Sequence, residues 1–161
     1  MTIISDTATI RRATVDDIEA VISLRIEFLS DCWSQPGLSH PTLLATTRAF
    51  IERKLPNGEF RTWFAESDGE IVGTGGLLFF DRAPTFQNPL GLEAYILSIY
   101  TRPAWRGRGL AVRMMQTITD HAWEAGAGRV FLHASEAGRP VYEKLGFTAP
   151  NTEMEILPKQ G

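Results

Sequence analysis

The segment from Glu93 to Ala125 constrains this chain more than any other. Ala111, Met114, Met115, Ile118, Ala122 and Ala125 recur at i, i+3, i+4, i+7, i+11 and i+14, which predicts a helix over about Gly109–Ala125 with one apolar face, stopped at Gly126. Ahead of it, Glu93–Thr101 is the strongest strand in the sequence. A helix with one apolar stripe next to a strand of this kind has to bury that stripe on a sheet, so the segment alone predicts an α/β layer architecture.

The junction between the two elements, Thr101-Arg102-Pro103-Ala104-Trp105 and then Arg106-Gly107-Arg108-Gly109-Leu110-Ala111, carries the chemistry. The first turn of a helix leaves N–H groups without intrahelical partners, and the macrodipole makes that end positive. Gly107 and Gly109 remove side chains that would keep a ligand from those amides. A phosphate or pyrophosphate is the natural guest. No acidic residue falls between Glu93 and Asp120, whereas Arg102, Arg106, Arg108 and Arg113 do. No Gly-Lys-Ser/Thr follows, so the loop is not of the Walker type, and the third glycine of a dinucleotide fingerprint is missing. A plain glycine-containing loop before a helix is the bland alternative.

Elsewhere the pattern predicts a frayed tail at residues 1–8, a strand over Ala8–Ala13, and a helix from about 15 to 31 opened by Thr14 and Asp17 in a capping-box-like pattern. Ile18, Val21, Ile22, Arg25, Phe28 and Leu29 lie along it at helical spacing. Ser34–Pro41 reads as a loop, Pro41–Leu55 as a second helix, and Phe60–Glu66 with Ile71–Phe80 as an antiparallel hairpin turned at Ser67-Asp68-Gly69-Glu70. A loop over Asp81–Leu92 precedes the central strand. A strand over Arg129–Ala134, a short helix over Gly138–Leu145 and a last strand over Phe147–Leu157 complete one domain, 1–161.

Composition limits the function classes. The 161 residues carry 16 Lys+Arg and 19 Asp+Glu, a formal charge of −3 that argues against a nucleic-acid partner. One cysteine, Cys32, excludes an intramolecular disulfide framework and any CxxC metal site, so no metal is expected. The longest apolar runs, such as Leu77–Phe80, are far short of the roughly 20 residues a membrane span needs, and Met1–Thr9 lacks the apolar core of a signal peptide. A cytoplasmic location without membrane association is the expectation.

The junction resembles the acetyl-CoA loop of the GNAT superfamily, the GCN5-related N-acetyltransferases, written Arg or Gln, two residues, Gly, one residue, Gly or Ala; Arg106, Gly109 and Ala111 satisfy it. Downstream, Pro140-Val141-Tyr142-Glu143-Lys144-Leu145-Gly146-Phe147 is similar to the family's Tyr-Glu-x-Leu-Gly-Phe element, in the usual order and separation. The resemblance covers about residues 8–157. It implies an α/β (α+β) GNAT fold with a mixed, mostly antiparallel sheet of about six or seven strands flanked by about four helices. It also implies acetyl-CoA as co-substrate and a small-molecule amine acceptor.

By position, the resemblance puts a bulge in the Glu93–Thr101 strand. The backbone of Ile99, Tyr100 and Thr101 would pair with the pantetheine arm, and Arg106, Gly107, Arg108, Gly109, Leu110, Ala111 and Val112 would hold the pyrophosphate. Ser135 stands where many members keep an asparagine, and Gly138-Arg139-Pro140 departs from the Ala-rich turn common there. Arg139 and Lys144 are within the reach of a CoA phosphate or are ordinary surface charges. Tyr142 would be the general acid that protonates the departing thiolate. For the base, the glutamate positions used by other members are Val130 and Tyr95 here. That leaves Glu93 (two residues from Tyr95 on the same strand face), His133, or solvent. Cys32 is expected to lie away from both motifs, which favours direct attack over an acetyl-cysteine.

Competing classes are a non-catalytic acyl-CoA-binding module, against which the retained Tyr142 speaks, and a nucleotide-binding protein. The acceptor is expected to meet the first two helices, the Ser30–His40 loop and the Asp81–Leu92 loop, with Trp33, His40, Phe86 and Tyr95 as candidate lining. Scattered acids favour a small or amino-acid-like amine over a polycation, with protein N-termini or lysines as the alternative. A homodimer through a C-terminal edge with Ile156 and Leu157 is also expected.

Overall fold

The computed structural model describes residues 7–33, 40–150, 152–159 and 161. The predicted tail therefore lies outside the described residues up to position 6, and most of the Ser34–Pro41 loop does too. Ala8, placed at the frayed end by the sequence, is instead buried in the main core, 2% exposed.

Five strands form one sheet in chain order: β1 (Thr9–Arg12), β2 (Phe60–Ser67), β3 (Glu70–Asp81), β4 (Leu92–Thr101) and β5 (Arg129–Leu132). The first three pairings are antiparallel, and β4 with β5 is parallel. A parallel pair needs a long crossover, supplied here by α3 (Leu110–Glu124). Its predicted stripe lands where expected. Met114, Met115, Ile118 and Ala122 are buried against one face of the sheet with Ala94, Ile96, Val72 and Leu77. Full burial of side chains such as Met115 and Ile118 contributes about 1.5–3 kcal/mol each.

The other face is covered by α1 (Ile18–Trp33) and α2 (Pro41–Lys54). Their buried Val21, Ile22, Leu24 and Ile51 pack on Phe60 and Phe64. A 3-10 turn, Val15–Asp17, leads into α1 through the capping box read from the sequence: the Thr14 N–H donates to Asp17 Oδ2 (2.8 Å) and the Asp16 N–H to Thr14 Oγ1 (3.3 Å). Arg11 clamps the same carboxylate with two donors at 2.9 Å.

The last predicted strand is a correction. After α4 (Arg139–Lys144), no described residue between Phe147 and Lys159 is in a strand, so the sheet has five strands among the described residues rather than about six or seven. The alternation of Glu153, Met154, Glu155 and Ile156 has strand character, but a strand exists only when a partner edge takes its hydrogen bonds, and among the described residues no edge does. β5 is also shorter than read and leaves His133 and Ala134 beyond its end.

Candidate active site

Two residues of β4, Ser98 and Ile99, stand opposite the single Gly75 of β3, between the pairs Gly76–Leu97 and Thr74–Tyr100. Ser98 takes the left-handed conformation, φ 57°. This bulge is the kind of strained feature that collects at functional sites. It resets the alternation. Ala94 and Ile96 point to the α3 face, and beyond the extra residue Ile99 packs there as well, while Tyr100 meets Phe28 and Glu27 of α1. On the opposite flank, pairing with β5 stops at Ile96–Leu132, so β4 from Leu97 to Thr101 is open toward β5 among the described residues. An extended chain can lie in that gap.

The gap leads to the loop. Gly107 and Gly109 have φ of 75° and 74°, and a Cβ at either would meet no heavy atom within 4 Å. No side chain caps α3, so its first-turn amides are left to a ligand or water. The arginines have partners that the loop's own sequence does not show. The acids missing from the loop's own sequence come from α1: Glu27 accepts from Arg102 (3.3 Å) and Asp31 from Arg106 (3.1 Å). Arg106 also donates to Thr101 O (2.9 Å), and Arg108 lies over the Trp105 ring (4.6 Å). Arg102 and Arg106 thus brace the loop. Arg113, exposed one turn into α3, has no carboxylate partner among the described residues.

Tyr142 lies on α4, half-buried, with its ring edge-on to Phe147 (6.2 Å). Burial pushes its phenol above the ordinary tyrosine value, and the Cys32 thiol adds in the same direction. Gly138 was not expected to matter beyond its turn, but a Cβ there would come within 2.8 Å of the Tyr142 ring and 3.0 Å of its hydroxyl. The departure from an Ala-rich turn is what lets the phenol lie over the backbone. Ser135 Oγ accepts the Gly138 N–H (3.1 Å) and shapes the entry to α4, so part of its hydrogen-bonding capacity goes to the turn rather than to a ligand.

The base candidates separate. Glu93 is buried, and its Oε2 is held by both Arg82 and Arg129 at 3.2 Å, at the far end of β4 from the bulge. Both guanidiniums occupy the one oxygen, and the carboxylate lies away from the gap beside β4. His133 is exposed at the end of β5 and hydrogen-bonded through Nδ1 to Tyr95 Oη (2.9 Å). The other expected lining residues scatter: His40 Nδ1 accepts the Leu43 N–H at the start of α2, while Phe86 and Trp33 are exposed.

Arg25 was missed as a functional residue, although it stands in the apolar stripe of α1. Its Nη1 donates to Ser98 Oγ (2.8 Å), its guanidinium lies over Phe28 (5.6 Å), and no carboxylate pairs with it among the described residues. Burial depresses its pKa, against the favourable fields of Tyr95 and Cys32. Arg25 borders a cavity of about 260 Å³ between α1, α2 and the bulge, lined also by Val21, Thr47, Phe50 and Leu97. Cys32 is within electrostatic reach of Arg25, Arg106 and Tyr142, so it lies nearer both motifs than its sequence position suggests. Partial burial holds the thiol's pKa up.

The sequence profile of the acetyltransferase (GNAT) family matches residues 19–147. The chain belongs to this family. A predicted acetyltransferase from Clostridium acetobutylicum, solved with acetyl-CoA, superposes with a TM-score of 0.86 at 31% identity, covering 94% of this chain and 96% of that one. A GCN5-related N-acetyltransferase from Ralstonia eutropha JMP134 gives 0.84 at 27% identity, covering 94% and 99%. Among curated relatives, a glucosamine 6-phosphate N-acetyltransferase of Trypanosoma brucei brucei is 31% identical over 88 residues, which are 55% of this chain and 58% of that protein. The probable N-acetyltransferase family 8 member 5 of Mus musculus is 32% identical over 122 residues, 71% of this chain and 51% of that protein. The matched region spans between half and three-fifths of these two relatives' own length. Among the described residues of this GNAT chain, no helix is long and apolar enough to cross a membrane.

Proposed function

We propose that this chain is an acetyl-CoA-dependent N-acetyltransferase whose acceptor is a small primary amine that also carries an anionic group, as an amino acid does. The observation that carries the donor half is the bulge at Ser98–Ile99, which opens β4 beside an uncapped helix start and the unobstructed Gly107 and Gly109. Those residues suit a pantetheine arm in the gap and a pyrophosphate on the amides of Gly107–Val112, with Arg113 beside it.

Acetyl-CoA supplies an acetyl thioester as the activated acyl group. The acceptor nitrogen bonds to the acetyl carbon, the carbon–sulfur bond breaks, and the proton lost by the amine is balanced by one gained at sulfur. The Tyr142 phenol, held protonated by burial, gives the proton to sulfur. Backbone N–H groups along β4 are placed to meet the charge growing on the carbonyl oxygen. In the tautomer whose Nδ1–H donates to Tyr95 Oη, His133 leaves Nε2 to take the amine proton. The raised thiol pKa of Cys32 supports direct attack within a ternary complex over an acetyl-cysteine.

Arg25 supports the acceptor class. A half-buried guanidinium without a carboxylate partner, facing a cavity for a small molecule, is best satisfied by an anion on the ligand. A cytoplasmic location belongs to the same reading, with Cys32 a free thiol. The test is CoA release with purified protein across amino acids, their amides and neutral amines. Amino acids should be preferred over their amides, and Arg25→Gln should raise the KM for the acid by about tenfold, one charge-assisted contact, while leaving neutral amines unaffected. Equal use of acids and amides by the parent would sink the anionic acceptor. No transfer to any amine, with CoA still bound, would favour the non-catalytic module.

A further inference from the structure

The cavity of about 260 Å³ beside Arg25 is larger than a carboxylate alone needs. It falls just below the roughly 300–1,000 Å³ of pockets that take drug-sized ligands, so it has room for a short side chain as well. Val21, Phe50, Ile51, Phe60, Leu78 and Leu97 give it apolar walls, contributed by α1, α2 and the three central strands. The Phe50 and Phe60 rings meet on one side of it, their centroids 5.5 Å apart.

The polar groups around this chamber are mostly engaged with the protein itself. Thr62 Oγ1 donates to Gly75 O (2.9 Å), Thr46 Oγ1 donates to Thr42 O (2.8 Å), and Ser98 Oγ accepts from Arg25 (2.8 Å). No Asp, Glu or Lys lines it among the described residues. A cationic side chain would enter without a counter-charge, and a second carboxylate would find no further cation, so either would be desolvated at a cost. An uncharged apolar group loses nothing there and gains burial.

The chamber also adjoins the place where the reacting groups meet. Leu97 and Ser98 belong both to its wall and to the stretch of β4 left open toward β5. An α-amino acid carries its carboxylate, amine and side chain on one carbon. Binding the first at Arg25 and the last in the chamber leaves the amine for the bulge.

We infer that the chamber is a side-chain pocket and that the acceptor is a free α-amino acid with an uncharged aliphatic side chain of about the size of leucine or methionine. Thr47 and Phe50 set the preference by the space they leave. The inference rests on the amino-acid reading above for the reaction, but occupancy of the chamber can be read without acetyl transfer.

The experiment takes two readouts on the purified full chain: acetyl transfer, and thermal stabilisation by the amino acid with CoA present. From glycine through alanine and valine to leucine, kcat/KM should rise about fourfold per buried methylene, reaching about a hundredfold. Lysine and glutamate should fall to the level of glycine or below. Leucine should raise Tm at concentrations where glycine does not. Thr47→Phe, which fills the chamber, should cut the leucine-to-glycine ratio about tenfold or more, and Phe50→Leu, which enlarges it, should move the optimum toward phenylalanine. Circular dichroism checks that each variant is folded, and either one suffices if the other is not. Equal use of leucine and glycine would overturn the side-chain pocket and leave acetyl transfer to amino acids standing, as would a leucine preference untouched in a folded variant. Stabilisation by leucine over glycine with no transfer would support the pocket and sink the reaction. Neither transfer nor stabilisation would overturn both.

Discussion

The two sides of β4 differ in how they are built. Toward α3, Ala94, Ile96 and Ile99 meet Met114 and Ile118 in an apolar core, and the helix start beyond carries its uncapped amides on consecutive residues. Toward α1 and α2 the same strand meets polar and ionic groups far apart in the chain: Ser98 with Arg25, Tyr95 with His133, and Tyr100 with Glu27. One side is a preformed cradle made by local backbone geometry. The other is assembled from long-range contacts across the bulge. A phosphate site needs only a short stretch of backbone held open, whereas acceptor recognition needs side chains brought in from several elements.

The contrast can be broken at the cradle with the largest effect. Gly109→Glu should raise the Kd for CoA at least a hundredfold. A carboxylate would stand at the anion site, and an L-residue at φ 74° adds strain, yet no neighbour within 4 Å would clash and the domain should remain folded. Calorimetric titration with CoA, alongside circular dichroism, checks this. Binding as tight as that of the parent would place the pyrophosphate elsewhere.

A smaller effect separates chemistry from binding. Tyr142→Phe should leave the Kd for acetyl-CoA unchanged, because the ring and its contact with Phe147 remain. It should lower kcat by about 10²-fold, the lower end for general acid catalysis, since a thiolate departs fairly well unaided. Cys32→Ser, the control, should keep the parental kcat. Parental turnover in Tyr142→Phe, or a dead Cys32→Ser, would reverse the assignment of roles.

The cradle was legible in the sequence for the reason that makes it simple. Helix periodicity, Gly107 and Gly109 are all local signals, and α3 and β4 fall within a residue or so of their expected bounds. The side toward α1 and α2 was not. Arg25 and Ser98 are 73 positions apart, and only the bulge turns Ser98 toward α1. An arginine in the apolar stripe of a helix was the available signal. The partners of the loop arginines were not legible because the loop has no local acid, while Glu27 and Asp31, one turn apart on α1, reach them in the fold. The last strand misled because alternation describes a segment able to pair and does not supply the edge.

The smallest expected effect lies at the start of α1, where a local motif and a long-range contact share one carboxylate. Asp17 takes the Thr14 N–H of the capping box and both donors of Arg11, while Arg11 Nε reaches Glu66 on β2 (2.8 Å). These contacts, the Arg11 hydrogen bonds first, lower the Asp17 pKa from 3.8 to about 2. Because the folded value is the lower one, the stabilisation is fully present above about pH 4 and is lost as pH falls through about 2. Asp17→Asn should therefore lower Tm by about 2–4 °C at neutral pH, near 1 kcal/mol for a lost cap. The gap to the parent should narrow between pH 4 and 2, as the parent's own carboxylate takes up its proton. Thermal melts of both proteins at pH 7, 4, 3 and 2 give the measurement. A gap that stays constant to pH 2 would mean that the charge of Asp17 contributes nothing and that shape alone holds the entrance to α1.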